Sequence, residues 1–121
     1  MCVQYLTTAN TDWVKTHFDL DLPASSSHDV FPTYPGMIVL KSHNTQRTAI
    51  GPARFGLIPT WAKDEEFGRK TYNARSETVS QKPSYKHAWT KRHFALALAD
   101  AFYEPCYESG KAVRTKISQA N

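Results

Sequence analysis

Cys2 is the residue whose position most directly suggests chemistry. Removal of Met1 would leave an α-amine and a thiol on the same residue. In general both groups lose protons within a few pH units of neutrality, so a fraction of each is nucleophilic at neutral pH. The amine can attack an aldehyde to give an imine, and the thiolate can then close on that imine to form a cyclic thiazolidine. Cysteine also occurs at this position without any function, so Cys2 alone leaves both interpretations open.

A second cluster, in the segment 73–78, combines an amide, a guanidinium and a carboxylate. Asn73 can orient an N-terminal amine or a substrate hydroxyl, Arg75 can form paired hydrogen bonds with a phosphate, and Glu77 can accept a proton or a hydrogen bond. The start of an exposed helix explains the same residues without function, with Asn73 as the cap and Glu77 near the positive end of the helix dipole.

Glu104 stands among apolar and aromatic residues in the segment 101–105. A carboxylate held in such surroundings suits a general acid or base. The alternative is a strand in which Glu104 simply alternates outward to solvent.

Positive charge is concentrated in one segment of a chain whose formal net charge is +4. Up to Asp29, four aspartates face the single Lys15, whereas the segment 69–93 holds only Glu77 against its basic residues. Those basic residues are Arg69, Lys70, Arg75, Lys82, Lys86, Lys91 and Arg92. Aromatic residues interleave with them, which suits phosphate contacts and base stacking in single-stranded nucleic acid. A solvated face whose aromatic side chains point into the core would give the same pattern.

The length of 121 residues and the hydrophobic content of 40% indicate a single folded domain over residues 1–121. No apolar run is long enough to span a membrane, and no secretory signal is evident, so we expect a cytoplasmic protein, associated with the nucleoid if the source is bacterial. In that reducing compartment Cys2 and Cys106 should be free thiols. The histidines and cysteines lack metal-ligand spacing, and we therefore expect neither a metal nor a cofactor.

The residue pattern predicts an α+β fold with mostly antiparallel strands and short helices. In the first half of the chain it predicts a strand over Cys2–Leu6 and a helix from Asp12 to about Leu20 capped by Thr11. A loop over Pro23–Pro35 then precedes strands over Met37–Lys41 and Thr48–Ile58, the second interrupted at Gly51-Pro52.

In the second half we expect one or two helical turns over Ala74–Ser80 and a short helix over Pro83–Trp89 with Pro83 at its first position. Phe94–Ala99 should be a strand whose large side chains pack on one side. The segments Phe102–Glu108 and Ala112–Ile117 should form a hairpin around Ser109-Gly110.

Several ordered motifs over most of the chain resemble the SOS response-associated peptidase (SRAP) family of abasic site processing proteins. They are Cys2 after the initiator, the segment 55–64 (FGLIPTWAKD), the segment 73–78 (NARSET), the segment 85–89 (YKHAW) and the segment 99–104 (ADAFYE). The resemblance implies a compact β-rich fold that binds single-stranded DNA, or a junction of single and double strands, at abasic sites. It also implies a thiazolidine crosslink through the N-terminal cysteine, with possible lyase activity, and autocatalytic removal of residues that precede the cysteine.

The resemblance assigns a role to each candidate site residue. Cys2 would be the nucleophile, Asn73 would lie beside it, and Glu104 would be the acid/base group for sugar opening and Schiff base formation. Arg75 would bind DNA phosphate, and Glu77 would be a supporting residue. The other DNA-binding residues expected are Arg69, Lys70, Lys86 and Trp61. We expect a monomer.

Three departures from the family pattern bear on function. The Tyr34-Pro35-Gly36 region is shorter than the corresponding segment of the family, so we expect an altered wedge between the DNA strands. Val3-Gln4 stands where the family has Gly-Arg, whose arginine helps to hold DNA. The family's catalytic histidine would fall beyond Asn121, so we expect a domain cut short after the hairpin. Two alternatives stay open: a single-stranded DNA-binding module, or inactive fragment, without the chemistry, and a thiol peptidase, which would need a histidine partner for Cys2.

Overall fold

Two antiparallel β-sheets organise the chain in the computed structural model, which describes residues 2–23 and 28–119. The strands are β1 (Tyr5–Thr7), β2 (Asp29–Val30), β3 (Pro35–Lys41), β4 (Thr48–Arg54), β5 (Ala95–Ala97), β6 (Ala99–Cys106) and β7 (Val113–Ser118). The helices are α1 (Thr11–Phe18), a 3-10 helix (Glu65–Lys70) and α2 (Pro83–Thr90). One sheet has the order β2-β1-β6-β7 and the other β4-β3-β5. The predicted β-rich α+β class is confirmed.

Leu98 is the corner at which the chain passes from one sheet to the other. Its backbone N–H donates to the carbonyl of Met37 over 3.0 Å, and its carbonyl accepts from the N–H of Thr8 over 3.4 Å. The side chain is only 5% exposed and packs with Val14, Leu22, Met37 and Val39 in the core. One residue thus joins both sheets to the core.

The prediction of one packed strand over Phe94–Ala99 is wrong in two respects. The segment is split at Leu98 between β5 and β6, and Phe94 and Leu96 are 54% and 59% exposed. Among the described residues β5 is an edge strand, so only Leu98, at the junction of the sheets, is covered. Alternation of large and small side chains indicates which residues share a face, but not whether another element covers that face.

The N-terminal cap of helix α1 is Asn10, not the predicted Thr11. The Asn10 carboxamide oxygen accepts from the N–H of Trp13 over 3.0 Å, and Thr11 is the first helical residue. The helix ends at Phe18, two residues before the predicted Leu20, because Asp19 adopts the left-handed conformation that closes helices. Val14, fully buried, attaches the helix to the core.

The predicted interruption at Gly51-Pro52 is also wrong. β4 pairs with β3 without a break, with Met37 opposite Pro52 and Ile38 opposite Gly51. Because β4 lies at the edge of its described sheet, the missing N–H of Pro52 costs no ladder hydrogen bond. The strand ends at Arg54 rather than at Ile58.

The turn and helix signals of the second half are largely confirmed. Pro83 opens α2, and Gly110, at a φ of +82°, donates its N–H to the carbonyl of Tyr107 in the predicted hairpin turn. The predicted helical segment Ala74–Ser80 is a run of turns, in which the N–H of Val79 donates to the carbonyl of Arg75 over 2.9 Å. Part of the predicted loop, residues 24–27, lies outside the described residues.

Two further expectations concern cysteines and membranes. Cys2 and Cys106 are both free thiols. Within residues 2–23 and 28–119, no helix has the length and apolar character needed to cross a membrane.

A close approach of two glycines fixes the loop that leads from β4 toward the second half of the chain. Gly56 has a φ of +133°, and a Cβ placed on it would lie 2.3 Å from the carbonyl oxygen of Gly68. Next to this contact, two hydrogen bonds join Thr71 to Leu57. The hydroxyl of Thr71 donates to the carbonyl of Leu57, and the N–H of Leu57 donates to the carbonyl of Thr71 over 3.3 Å. The segment 56–71 is therefore closed on itself.

Replacing Gly56 by alanine should destabilise the fold. We expect Gly56→Ala to lower the free energy of unfolding by at least about 2 kcal/mol, because it adds both backbone strain and a backbone clash. Gly51→Ala is the matched control, since a Cβ at Gly51 meets no atom within 4 Å. Urea unfolding followed by tryptophan fluorescence measures both, and equal stability of the two variants would contradict the prediction.

Candidate functional site

A cleft of about 730 Å³ opens where the N-terminal segment, the loop before α2 and strand β6 meet. Its lining includes Cys2, Lys70, Asn73, Arg75, Tyr85 and Glu104. Three distant parts of the chain thus bring together the predicted nucleophile, its predicted amide neighbour and the predicted acid/base group.

The N-terminal segment is held in the cleft by hydrogen bonds from two other elements. The side-chain amide of Asn73 donates to the carbonyl of Cys2 over 2.8 Å. The backbone N–H of Tyr103 donates to the carbonyl of Gln4 over 3.1 Å, which extends the pairing of β1 with β6 toward Cys2. The thiol of Cys2, half-buried, donates to the same Gln4 carbonyl over 3.2 Å. Asn73 is therefore a positioning residue for Cys2 and does not cap a helix.

Tyr85 in turn holds Asn73, a role that the sequence analysis missed. Its phenol donates to the backbone carbonyl of Asn73 over 2.6 Å. Burial raises the pKa of Tyr85 above its usual value of 10.0, so the phenol keeps the proton that it donates. The sequence signals were Pro83, which fixes the start of α2 and thereby sets Tyr85 in its first turn, and the motif 85–89 that begins with Tyr85.

Contacts between aromatic rings position the loop that carries Asn73. Phe55 packs edge-on against Tyr5, with ring centroids 5.2 Å apart, and against Tyr72, with centroids 5.7 Å apart. Burial, and then the negative charge of a Cys2 thiolate, raise the pKa of Tyr5. Tyr5 therefore stays neutral at neutral pH, and its strand β1 begins three residues after Cys2.

The charge of the cleft is mainly positive. Lys70, Arg75 and Lys82 line it with Glu104, which is half-buried. Within the described part of the chain, none of these three cations forms an ion pair within 4.0 Å. They are thus available to an anionic ligand such as a phosphodiester.

Other predicted residues do not line the cleft. Arg69 pairs instead with Glu66, Nε to Oε2, over 2.6 Å. Trp61 is exposed and packs edge-on against Phe67, with ring centroids 5.0 Å apart. Glu77 and Lys86 are exposed residues outside the lining.

Gln4 occupies the place where the family resemblance puts an arginine. Its side chain is 5% exposed, and its Oε1 atom has no hydrogen-bond partner in residues 2–23 and 28–119. A side chain this buried leaves no phosphate-binding group at the position. Lys70 and Lys82, which the cleft includes, supply positive charge from other segments.

A metal centre is not evident in the described ranges. No three side chains from histidine, cysteine, aspartate and glutamate converge there as ion ligands. No histidine lines the cleft either, so within the described residues the Cys2 thiol has no imidazole beside it.

Comparison with known proteins connects the cleft to one family. The family described as SOS response associated peptidase (SRAP) matches residues 1–119. The abasic site processing protein YoqW of Bacillus subtilis is 36% identical over 107 residues, 86% of this chain and 47% of the relative. The abasic site processing protein HMCES of Gallus gallus is 33% identical over 87 residues, 64% of this chain and 26% of the relative.

A solved structure has a similar fold. The crystal structure of a Bordetella bronchiseptica protein superimposes with a TM-score of 0.81 at 32% identity, covering 98% of this chain and 58% of that one. The chain thus spans about half the length of the Bacillus relative, 47%, and a little more of the solved structure.

Loss of the Asn73 amide donor should loosen the N-terminal segment. Asn73→Asp replaces the donor with a carboxylate that repels the Cys2 carbonyl, and a hydrogen bond of this kind contributes about 1 kcal/mol. We expect amide hydrogen exchange at Tyr103, whose N–H binds Gln4, to accelerate roughly fivefold. Asn44→Asp, at an exposed turn, is the matched control. Unchanged protection of Tyr103 in Asn73→Asp would contradict the role given to Asn73.

Proposed function

The chain belongs to the SOS response associated peptidase (SRAP) family, and on that premise we propose that it processes abasic sites in single-stranded DNA by forming a thiazolidine crosslink through Cys2. The observation that carries the proposal is the cleft itself, where Asn73 holds Cys2 and where Glu104 and several cations share the lining. The names of the relatives, abasic site processing proteins, support the same substrate.

The proposed reaction begins at the α-amine that Cys2 gains once Met1 is removed, a step that falls outside the described residues. The amine adds to the C1′ aldehyde of the opened deoxyribose, and the carbinolamine loses water to give an imine. The Cys2 sulfur then bonds to the imine carbon while the imine nitrogen takes a proton. One aldehyde and one aminothiol thus become a thiazolidine and water, with no change of oxidation state.

The neighbouring side chains would assist these steps in different ways. Glu104 lines the same cleft as Cys2 and would pass protons to the sugar ring oxygen and to the departing hydroxyl. Arg75 and Lys70 would hold the phosphates on either side of the lesion. Asn73 would keep the Cys2 carbonyl fixed, so that the amine and the thiol approach the aldehyde together.

Two other functions fit the cleft less well. A DNA-binding module without chemistry would account for the cations but not for the hydrogen bonds that fix Cys2. A thiol peptidase would need a base beside the thiol, and the group that the thiol contacts is the backbone carbonyl of Gln4.

A denaturing gel tests the proposal. Met1-processed protein and single-stranded DNA with one abasic site should give an adduct that survives heating. Cys2→Ala should abolish that stable adduct, and Cys2→Ser should leave only an imine that borohydride must trap. Glu104→Gln should slow formation by about a hundredfold, the usual contribution of a positioned acid or base.

Glu108→Gln is the matched control, because Glu108 is an exposed carboxylate in the turn that follows the same strand. It should form the adduct at the wild-type rate. A stable adduct that persists in Cys2→Ala would overturn the proposal, whereas DNA binding by a folded protein without any adduct would favour the binding module.

A further inference from the structure

The C-terminal end of α2 carries exposed aromatic rings that the cleft does not use. Trp89 and Phe94 are 43% and 54% exposed, and they contact each other edge-on with ring centroids 5.2 Å apart. The cleft lies at the opposite end of the helix, where Lys82, Ser84 and Tyr85 line it. Within the helix Trp89 follows Tyr85 by four residues, so both lie on one side.

Three exposed imidazoles, two of them from the same stretch of chain, contact one another. His93 packs edge-on against His43, with ring centroids 5.8 Å apart, and against His87, with centroids 6.0 Å apart. A ring nitrogen of His43, in the turn between β3 and β4, lies 2.9 Å from the backbone carbonyl of Arg92. The three histidines therefore connect the turn between β3 and β4 with the end of α2. They do not form a metal site with other side chains in the described ranges.

Arg92 occupies a backbone position that usually belongs to glycine. Its φ is +56°, its N–H donates to the carbonyl of Trp89 over 3.1 Å, and the N–H of His93 donates to the carbonyl of Ala88 over 2.9 Å. These bonds are those of a Schellman motif with Arg92 as its left-handed residue. An arginine there is less stable than glycine, but it adds a cation to the segment between Trp89 and Phe94.

Four basic residues at α2 and directly after it lack an acidic partner among the described residues. Lys82, Lys86, Lys91 and Arg92 form no ion pair within 4.0 Å with any residue in the ranges 2–23 and 28–119. The first turn of α2 contains no acidic residue. Unpaired cations combined with exposed aromatic rings fit a polyanion that also offers flat faces for stacking, which is single-stranded nucleic acid.

We infer that this surface, which we call the α2-end surface (His43, His87, Trp89, Lys91, Arg92, His93 and Phe94), binds the single-stranded flank of DNA that leaves the cleft. The inference rests on the proposed function for the direction of the strand. Eight residues of α2 span about 12 Å, which corresponds to roughly three or four nucleotides at stacked spacing. The backbone would follow Lys82 and Lys86, and one base would stack on Trp89.

Flank length is the variable that tests the inference. We would measure Kd by fluorescence anisotropy for single strands that carry a tetrahydrofuran abasic analogue, which cannot crosslink. The flank on the 5′ or the 3′ side would have about two or about eight nucleotides. Lengthening one flank, but not the other, should tighten binding about fivefold or more, as expected for one stacked base and its phosphate contacts. A double-stranded flank should tighten binding less than a single-stranded one, because its bases are already stacked on one another.

Arg92→Gly and Trp89→Ala should each remove most of that gain. Arg92→Gly is the sharper variant because glycine suits the left-handed position, so its melting temperature should equal or exceed that of the wild type. A loss of binding can then not be assigned to unfolding. Lys15→Ala removes the same charge from α1, where Lys15 pairs with Asp19 over 3.3 Å, and it should retain the full gain.

The inference is overturned if neither flank tightens binding, or if Arg92→Gly and Trp89→Ala keep the wild-type gain. Crosslinking of the short-flank strand that carries a true abasic site reports separately on the proposed function. A crosslink without any flank effect would reject only the α2-end surface. A flank effect that depends on Arg92, without a crosslink, would support the surface and reject the proposed chemistry.

Discussion

The hydrogen bond from the Asn73 amide to the Cys2 carbonyl is the interaction on which the candidate site depends. It joins residues that are 71 positions apart and holds the segment of Cys2 in the cleft. Tyr85 fixes Asn73 from α2, and Thr71 closes the preceding loop on Leu57. These hydrogen bonds join residues that are far apart in the sequence, and together they connect the N-terminal segment, the loop after β4 and α2.

The same arrangement explains why the site can be both ordered and cationic. Few apolar side chains are buried among the described residues, namely Tyr5, Val14, Leu22, Val30, Met37, Val39, Leu98 and Ala101. Polar bonds therefore do much of the positioning around the cleft, while the cations beside them form no ion pair with the residues that the structure describes. Apart from Glu104, the acidic side chains of the described residues lie outside the cleft lining, for example Asp19 and Asp21, which both pair with Lys15 of α1. This separation of charge favours an anionic strand on the α2 side of the molecule.

Local signals in the sequence predicted local structure well. Pro83 indicated the start of α2 and Ser109-Gly110 the hairpin, because both depend on the backbone preferences of single residues. Predictions that depended on a neighbour from elsewhere in the chain were weaker. Leu96 is exposed although its pattern resembles that of Leu98, since only Leu98 lies where the two sheets meet. Similarly, the family resemblance put Asn73 beside Cys2, but the hydrogen bond from its amide to the Cys2 carbonyl and its support from Tyr85 follow only from the fold.

Mass spectrometry of the peptide crosslinked to abasic DNA tests the central claim most directly, that both nucleophiles of one residue capture the aldehyde. We predict that the DNA remnant is on Cys2, that iodoacetamide no longer alkylates its thiol, and that borohydride adds no hydrogen to the adduct. A remnant on a lysine side chain, or a Cys2 adduct that borohydride reduces and whose thiol is still alkylated, would contradict it.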